Sequence, residues 1–225
     1  MNWSLFTGER PGSDSLLLAD FAHAASGSLG ADLGCGSGVL TVLLLLYGEN
    51  FHITGVDIRE SAVASCRENL RRYALSDRGD AVVCDLRSAP FENKSLDFIV
   101  SNPPYFPAGC GGASHDAERR AQRTESATIF ELCSAAARFL KDGGQFFLVH
   151  RRDRERDIRK ALSLSSLTVV RQRDVFSSPE KPAPIFLLEA VKGAPQGEIA
   201  RESVLLRNAD GQETEEYRKI CHWEA

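Results

Sequence analysis

Asn102-Pro103-Pro104-Tyr105 puts a polar amide, two stiff residues and an aromatic ring directly after the apolar run Asp97-Phe98-Ile99-Val100-Ser101. That run reads as a buried strand, and two consecutive prolines must end it. Proline also holds the preceding residue extended, which fixes the backbone at Asn102. At the carboxyl end of a strand in an open α/β sheet, such a group faces the edge where ligands bind. The Asn102 side-chain oxygen and the Pro103 carbonyl can both accept hydrogen bonds from one planar amino group, while Tyr105 stacks on the ring that bears it. The same four residues also suit an ordinary strand-ending turn.

A second cluster lies upstream, in Asp32-Leu33-Gly34-Cys35-Gly36-Ser37-Gly38 followed by the helical-looking Val39 to Tyr47. A short strand, a glycine-rich turn and a helix make the first unit of a dinucleotide-type fold. The glycines let backbone approach a ligand, and the helix start favours negative charge. The Gly-x-Gly-x-Gly spacing differs from the Gly-x-Gly-x-x-Gly of dinucleotide binders. Asp32, just before the turn, would repel a pyrophosphate but suits an ammonium group, and S-adenosylmethionine carries an ammonium and a carboxylate at one end. Asp57 lies about twenty residues beyond the turn, where such folds place a carboxylate on the ribose hydroxyls. Asp85, at the next strand end, is a candidate acceptor for an adenine amino group.

These residues need a scaffold of alternating strands and helices. A helix from Ser15 to about Ala25 follows a turn-rich leader, and Ser13 or Asp14 could cap it. Phe51–Val56 and Asp80–Cys84 read as strands, and Glu60–Tyr73 as a helix with Ala62, Val63, Cys66 and Leu70 on one stripe. Ala117 to Leu140 reads as helix, stopped by Asp142-Gly143-Gly144, with Gln145–His150 a fifth strand. The glycine-rich Phe106 to Asp116 between them reads as a loop beside the site. Leu167–Phe176 and Pro184–Val191 look like two closing strands. The apolar run Val204-Leu205-Leu206 is expected to pack the tail across the sheet edge.

The chain has 225 residues, which suits one α/β domain. The expected division is a leader and helix over 1–28, a catalytic core over 29–192 and an extension over 193–225. The longest apolar run, Val39 to Tyr47, is too short to span a bilayer, and no secretory signal is visible. Six scattered cysteines without a Cys-x-x-Cys pair suggest reduced thiols, no metal and a cytoplasmic protein. A net charge of −4 gives no general basic field, so any nucleic-acid contact must be local. Arg151, Arg152 and Arg154, in a sign-alternating stretch running to Lys160, are the first candidates; Arg119, Arg120 and Arg123 are the second. The Arg151–Lys160 stretch also suits a solvated helix face.

Taken together, the glycine turn, Asp57, Asp85 and Asn102-Pro103-Pro104-Tyr105 resemble the class I S-adenosylmethionine-dependent methyltransferases, in the branch that methylates planar exocyclic nitrogens. Gly12-Ser13-Asp14 before Leu16-Leu17-Leu18, the run Asn102 to Glu125, Lys192-Gly193 and Thr214-Glu215-Glu216-Tyr217 are similar to the bacterial tRNA1(Val) adenine-37-N6 methyltransferases. The match is looser at Gln122-Arg123-Thr124-Glu125, and the leader is shorter. The resemblance implies a Rossmann-like α/β fold with a seven-stranded sheet, mostly parallel with an antiparallel last strand and helices on both faces. It implies S-adenosylmethionine as cofactor, held by Gly12, Asp14, Asp32, Gly34, Gly36, Gly38, Asp57, Ile58, Asp85, Leu86 and Asn102. Asn102, Pro103 and Tyr105 would be catalytic. Pro104, Tyr105, Phe106 and the two arginine clusters would meet a structured RNA, expected to be a tRNA.

Other readings stay open from the sequence. Release-factor glutamine methyltransferases share Asn-Pro-Pro-Tyr but carry a helical N-terminal substrate domain. DNA adenine methyltransferases more often have Asp in place of Asn102. An rRNA base is a further planar amine. A non-catalytic S-adenosylmethionine-binding module would have no need of the Asn102 amide.

Overall fold

Strands buried on both faces are largely apolar on both, and the buried stretches of the central strands here are, apart from Asp32, Ser101 and His150. β1 (Leu29–Leu33), β4 (Leu96–Ser101) and β5 (Leu140–Arg151) form the middle of the sheet. β2 (His52–Asp57) and β3 (Gly79–Val83) continue it on one side. β6 (Leu167–Phe176), β7 (Ile185–Lys192) and β8 (Ala200–Leu205) continue it on the other. The computed structural model describes residues 6–8, 12–48, 50–103 and 128–222. Among them the strand order is β3-β2-β1-β4-β5-β7-β6-β8. β7 runs antiparallel to both β5 and β6, and the other pairings are parallel.

The expected seven strands become eight. Ala200–Leu205 pairs in register with Arg171–Phe176 along the outer edge of β6. Only Val204 of this strand is fully buried, so hydrophobic patterning hides it. Charge replaces burial here: Glu202 meets Arg171 at 3.2 Å and Arg173 at 2.9 Å.

Helices cover both faces. α1 (Ser13–Phe21), α2 (Val39–Tyr47), α3 (Glu60–Arg72) and α6 (Glu215–His222) share one core with Phe98, Val100, Phe147 and Val149. α4 (Ile129–Phe139) and α5 (Glu155–Leu164) share the other with Leu33, Ile99, Phe146 and Leu148. α2 is buried from Val39 through Leu45, which explains its almost wholly apolar composition. α4 starts at a capping box: Thr128 N–H donates to Glu131 Oε2 at 2.7 Å, and Glu131 N–H returns to Thr128 Oγ1 at 3.3 Å. It ends at Phe139, before Asp142-Gly143-Gly144; those three residues lie within β5, whose pairing with β4 is shifted there. The part of the expected helix before Thr128, like the glycine-rich loop, lies outside the described residues. No helix among the described residues is long and apolar enough to cross a membrane.

The chain leaves β3 and returns to the far side of β1 as β4, so the strand order reverses between β1 and β4. That is where a crevice opens at the carboxyl edge of an α/β sheet. α1 is fixed across this face at its C-terminal end. The Phe21 ring lies 6.3 Å edge-on from Phe147 and 3.8 Å beneath the Arg171 guanidinium, which donates to the Phe21 carbonyl at 2.8 Å. Arg173 pairs with Asp20 at 2.5 Å. Phe21→Ala should destabilise the protein by about 3–5 kcal/mol in urea unfolding, the cost of emptying a fully buried aromatic site. A loss below about 1 kcal/mol would show that the arginines hold α1 without the ring.

Candidate active site

The turn after β1 is built from backbone. Gly34, Gly36 and Gly38 have φ of +84°, +55° and +81°. Gly34 and Cys35 both donate to the Val56 carbonyl, at 2.8 and 3.0 Å, which ties the turn to the end of β2. A Cβ on Gly38 would lie 2.3 Å from Cys66 Sγ, so glycine there lets α2 pack on α3. Among the described residues nothing lies within 4 Å of a Cβ built on Gly34, so no described group covers this part of the backbone. Gly36 N–H donates to Asp57 Oδ2 at 2.9 Å, giving that carboxylate a part in shaping the turn.

Asp32 sits beneath the turn, only 1% exposed, and its Oδ2 accepts from Thr41 Oγ1 at 2.8 Å. Burial pushes its pKa up to about 7; the Thr41 hydrogen bond opposes the rise and the nearby Asp57 charge adds to it. The turn thus rests on a carboxyl that takes its charge only near neutral pH.

The other two carboxylates lie at the ends of β2 and β3, and each is engaged by an arginine two residues on. Asp57 accepts from the Arg59 backbone N–H at 2.9 Å and from its Nε at 3.2 Å. Asp85 accepts from the Arg87 backbone N–H at 2.9 Å and pairs with its guanidinium at 2.5 Å. The Arg87 hydrogen bond holds the Asp85 carboxyl below its usual range. Between acid and arginine stand Ile58, which is 50% exposed, and Leu86, half-buried against the α4 core. The edge therefore offers open glycine backbone, two carboxylates and apolar side chains, a donor set that fits an adenosine carrying an amino-acid end.

Asn102 and Pro103 follow β4 directly and are half-buried. Ser101 Oγ donates to the Leu33 carbonyl at 2.6 Å and draws the ends of β4 and β1 together. Asn102 Nδ2 donates to Ser15 Oγ in the first turn of α1 at 2.9 Å. That bond brings the helix start, with Gly12 at its N-cap and Asp14 in its first turn, to the same edge. Asp14 Oδ1 accepts from Ser13 Oγ at 3.1 Å. Pro104, Tyr105, Phe106, Arg119, Arg120 and Arg123 lie outside the described residues.

Each of Arg151, Arg152 and Arg154, just beyond the end of β5, has a carboxylate partner. Arg151 pairs with Asp153 at 2.7 Å and Arg154 with Asp157 at 3.3 Å. Arg152 joins Glu155 at 2.8 Å to Asp174 at 2.6 Å and lies over the Phe186 ring, which makes it a structural link between α5 and β6. The Arg151 side chain keeps 43% of its surface exposed, and the basic stretch is largely an ion-pair network. His150, buried at the end of β5, is pushed down to about 4 by burial, then by the Arg154 charge, and is neutral at pH 7.

Sequence reasoning missed Ser15, Arg59, Arg87 and Asn69. Asn69 is fully buried on α3. Its Nδ2 donates to the Ser37 and Thr7 carbonyls at 2.9 Å each, and its Oδ1 accepts from Thr7 N–H at 2.8 Å. It holds the N-terminal segment against the glycine turn. The available signal was an amide three residues after Cys66, on the inward stripe of α3.

Residues 5–177 match the family model described as the methyltransferase small domain. The tRNA1(Val) (adenine(37)-N6)-methyltransferase of Shewanella amazonensis is 31% identical over 206 residues, covering 90% of this chain and 86% of that protein. The protein of the same name from Pseudoalteromonas atlantica is 29% identical over 183 residues, covering 76% and 70%. Among solved structures, a predicted O-methyltransferase from Agrobacterium tumefaciens superposes with a TM-score of 0.76 at 18% identity, covering 93% of this chain and 95% of that one. A geranyl diphosphate methyltransferase in complex with SAM gives 0.61 at 14% identity, covering 79% and 84%. The last two show a shared fold.

The buried carboxyl under the turn has a measurable consequence. Its folded pKa of about 7 lies above the ordinary aspartate value of 3.8. Between these values the folded state binds more protons than the unfolded one, so stability falls as pH rises. Asp32→Asn keeps an oxygen for Thr41 and removes the charge. Its gain in stability over the parent should grow by about 2–3 kcal/mol from pH 5 to pH 8.5. Urea titrations across that range would measure it; a gain that does not change with pH would mean Asp32 titrates normally.

Proposed function

The chain belongs to the methyltransferase small domain family, and on that premise we propose that it is an S-adenosylmethionine-dependent N-methyltransferase acting on the exocyclic N6 amine of an adenine in tRNA, in the anticodon loop next to the anticodon. The names of its curated relatives support the substrate, and a tRNA substrate accords with a cytoplasmic protein. The observation that carries the chemistry is the Asn102 amide, held at the end of β4 beside the glycine turn that follows β1.

S-adenosylmethionine supplies an electrophilic methyl group on a sulfonium sulfur. Gly34, Gly36 and Gly38 offer backbone to its amino-acid end, with Asp32 below them and Gly12 and Asp14 at the adjoining helix start. Asp57 takes the ribose hydroxyls. Asp85 would accept from the adenine amine, with Ile58 and Leu86 offering apolar surface to the ring, and the arginines beside Asp57 and Asp85 would share those carboxylates with the cofactor.

The target amine is a poor nucleophile because its lone pair is delocalised into the ring. The Asn102 side-chain oxygen and the Pro103 carbonyl accept its two hydrogens and draw the nitrogen out of conjugation. Charge accumulates on that nitrogen only as the new bond forms, so these fixed dipoles act mostly on the transition state. Pro103 and Pro104 hold both acceptors in place, and Tyr105, with Phe106 beside it, stacks on the base. Asn102 need only accept hydrogen bonds, because the amine becomes acidic once it is cationic and loses its proton to water. Single-stranded loop bases can be splayed out to reach such a site. Arg119, Arg120, Arg123, Arg151 and Arg154 meet the phosphates around it, with Arg152 bracing the last two.

Asn102→Ala should leave S-adenosylmethionine affinity unchanged by calorimetry and slow single-turnover methylation of an unmodified tRNA1(Val) transcript by roughly 10²–10³-fold. Nucleoside mass spectrometry reads the product. A wild-type rate in the variant would reduce this amide to the end of a strand. Replacing Arg151 and Arg154 together by alanine should weaken RNA binding and lower the slope of log affinity against log salt by about one per lost phosphate contact. An unchanged slope would move the phosphate contacts elsewhere.

A further inference from the structure

We propose that Ser15 is a positioning residue for methyl transfer, holding the plane of the Asn102 carboxamide so that its oxygen meets the target amine. This rests on the reading above, in which Asn102 acts directly. Ser15 stands 87 residues upstream in sequence, and its Oγ accepts from Asn102 Nδ2 at 2.9 Å. The neighbouring prolines fix the Asn102 backbone, but the terminal torsion of an asparagine is broad and roughly two-fold. Backbone rigidity alone therefore does not set the plane of the amide or which branch carries its oxygen. An exchanged amide would present donor hydrogens to an amine that itself donates. A partner on the Nδ2 branch turns the oxygen branch the other way and restrains the plane.

Position 15 begins an apolar, buried stretch of α1. It is 9% exposed, and it precedes Leu16, Leu17, Leu18 and Ala19, which are all buried. The helix is anchored independently of Ser15, at its far end, by Phe21 under Arg171 and by Asp20 on Arg173. Removing the Ser15 hydroxyl should leave α1 in place and act on the amide it holds.

The test is a double-mutant cycle on the full chain, with single-turnover methylation of the tRNA1(Val) transcript as readout. Ser15→Ala should keep the thermal midpoint and S-adenosylmethionine affinity of the parent while slowing transfer by roughly three- to tenfold, the scale of one neutral hydrogen bond. The loss should appear at saturating RNA, in the maximal rate and not in the RNA concentration for half-saturation. Ser15→Thr, which keeps the hydroxyl, should recover most of the rate. In an Asn102→Ala background Ser15→Ala should change the rate by no more than about twofold, because the group it holds is gone. Equal losses in both backgrounds, a wild-type rate for Ser15→Ala, or a threonine variant as slow as the alanine one would each overturn the proposal. An Asn102→Ala single variant at wild-type rate would instead overturn the reading beneath it.

Discussion

The pairing of β1 with β4 governs the rest of the site. These strands run parallel with Asp32 opposite Val100, and a buried hydrogen bond from Ser101 Oγ to the Leu33 carbonyl closes their ends at 2.6 Å. Adjacent strands lie about 4.8 Å apart, and a second strand between them would double the gap. Two groups that must react need to approach within about 3.5 Å. Only loops leaving neighbouring strands can hold both reactants with such economy. The glycine turn follows one strand and Asn102 the other because the chain reverses its direction of sheet growth between them.

Electrostatics at this edge follows a similar logic. Asp57 and Asp85 each face an arginine from their own loop, so neither carboxylate stands as bare negative charge. Arg59 is 37% exposed and Arg87 is 50% exposed. The Arg87–Asp85 pair, open to solvent on both sides, is of a kind worth about 0–1 kcal/mol, whereas Asp57 is itself buried at 7% exposure. A ligand hydroxyl or amine that hydrogen-bonds a carboxylate gains about 1.5–3 kcal/mol per bond, so it outcompetes the Arg87–Asp85 pair. The arginines orient both carboxylates, and the Arg87 hydrogen bond holds Asp85 below the usual carboxylate range. Asp32 differs because it is sealed beneath the turn, where water cannot share its charge. It rests on the Thr41 hydroxyl and has no cationic partner among its described contacts.

These contrasts explain what could be read from sequence. The glycine turn, the strand ends at Asp57 and Asp85, and the double proline after Ser101 are local signals. Each is written in a few adjacent residues and has one dominant structural consequence. The helices on both faces follow from apolar periodicity in the same way. β8 escaped because its pairing rests on Glu202 meeting two arginines thirty residues back, with a single buried side chain to mark it. Ser15 and Asn69 escaped for a related reason. Their partners, Asn102 and Thr7, are distant in sequence, and a lone serine or asparagine on a helix looks alike whether it faces water or a buried amide. The Asp-x-Arg repeats were visible as letters, but only side-chain reach turns the arginine back onto its acid.

The arginines beyond β5 bear on the proposed RNA substrate, because the chain as a whole is acidic. The chain carries a net charge of −4, which repels RNA at long range. At physiological ionic strength that repulsion decays over about 8 Å, so a phosphate at the active-site edge responds mainly to the charges nearest it. From Arg151 to Lys160 there are six cations against three acids, and the acids are interleaved with the cations. Asp153 and Asp157 pair with Arg151 and Arg154 while the stretch stays locally positive. Asp174 and Glu155 do the same for Arg152 from two different elements, stiffening the segment against β6. A paired guanidinium still has donors to spare, since it carries five and a carboxylate engages one or two. Ion pairing therefore lowers the long-range pull of this surface more than its capacity for short-range phosphate contact.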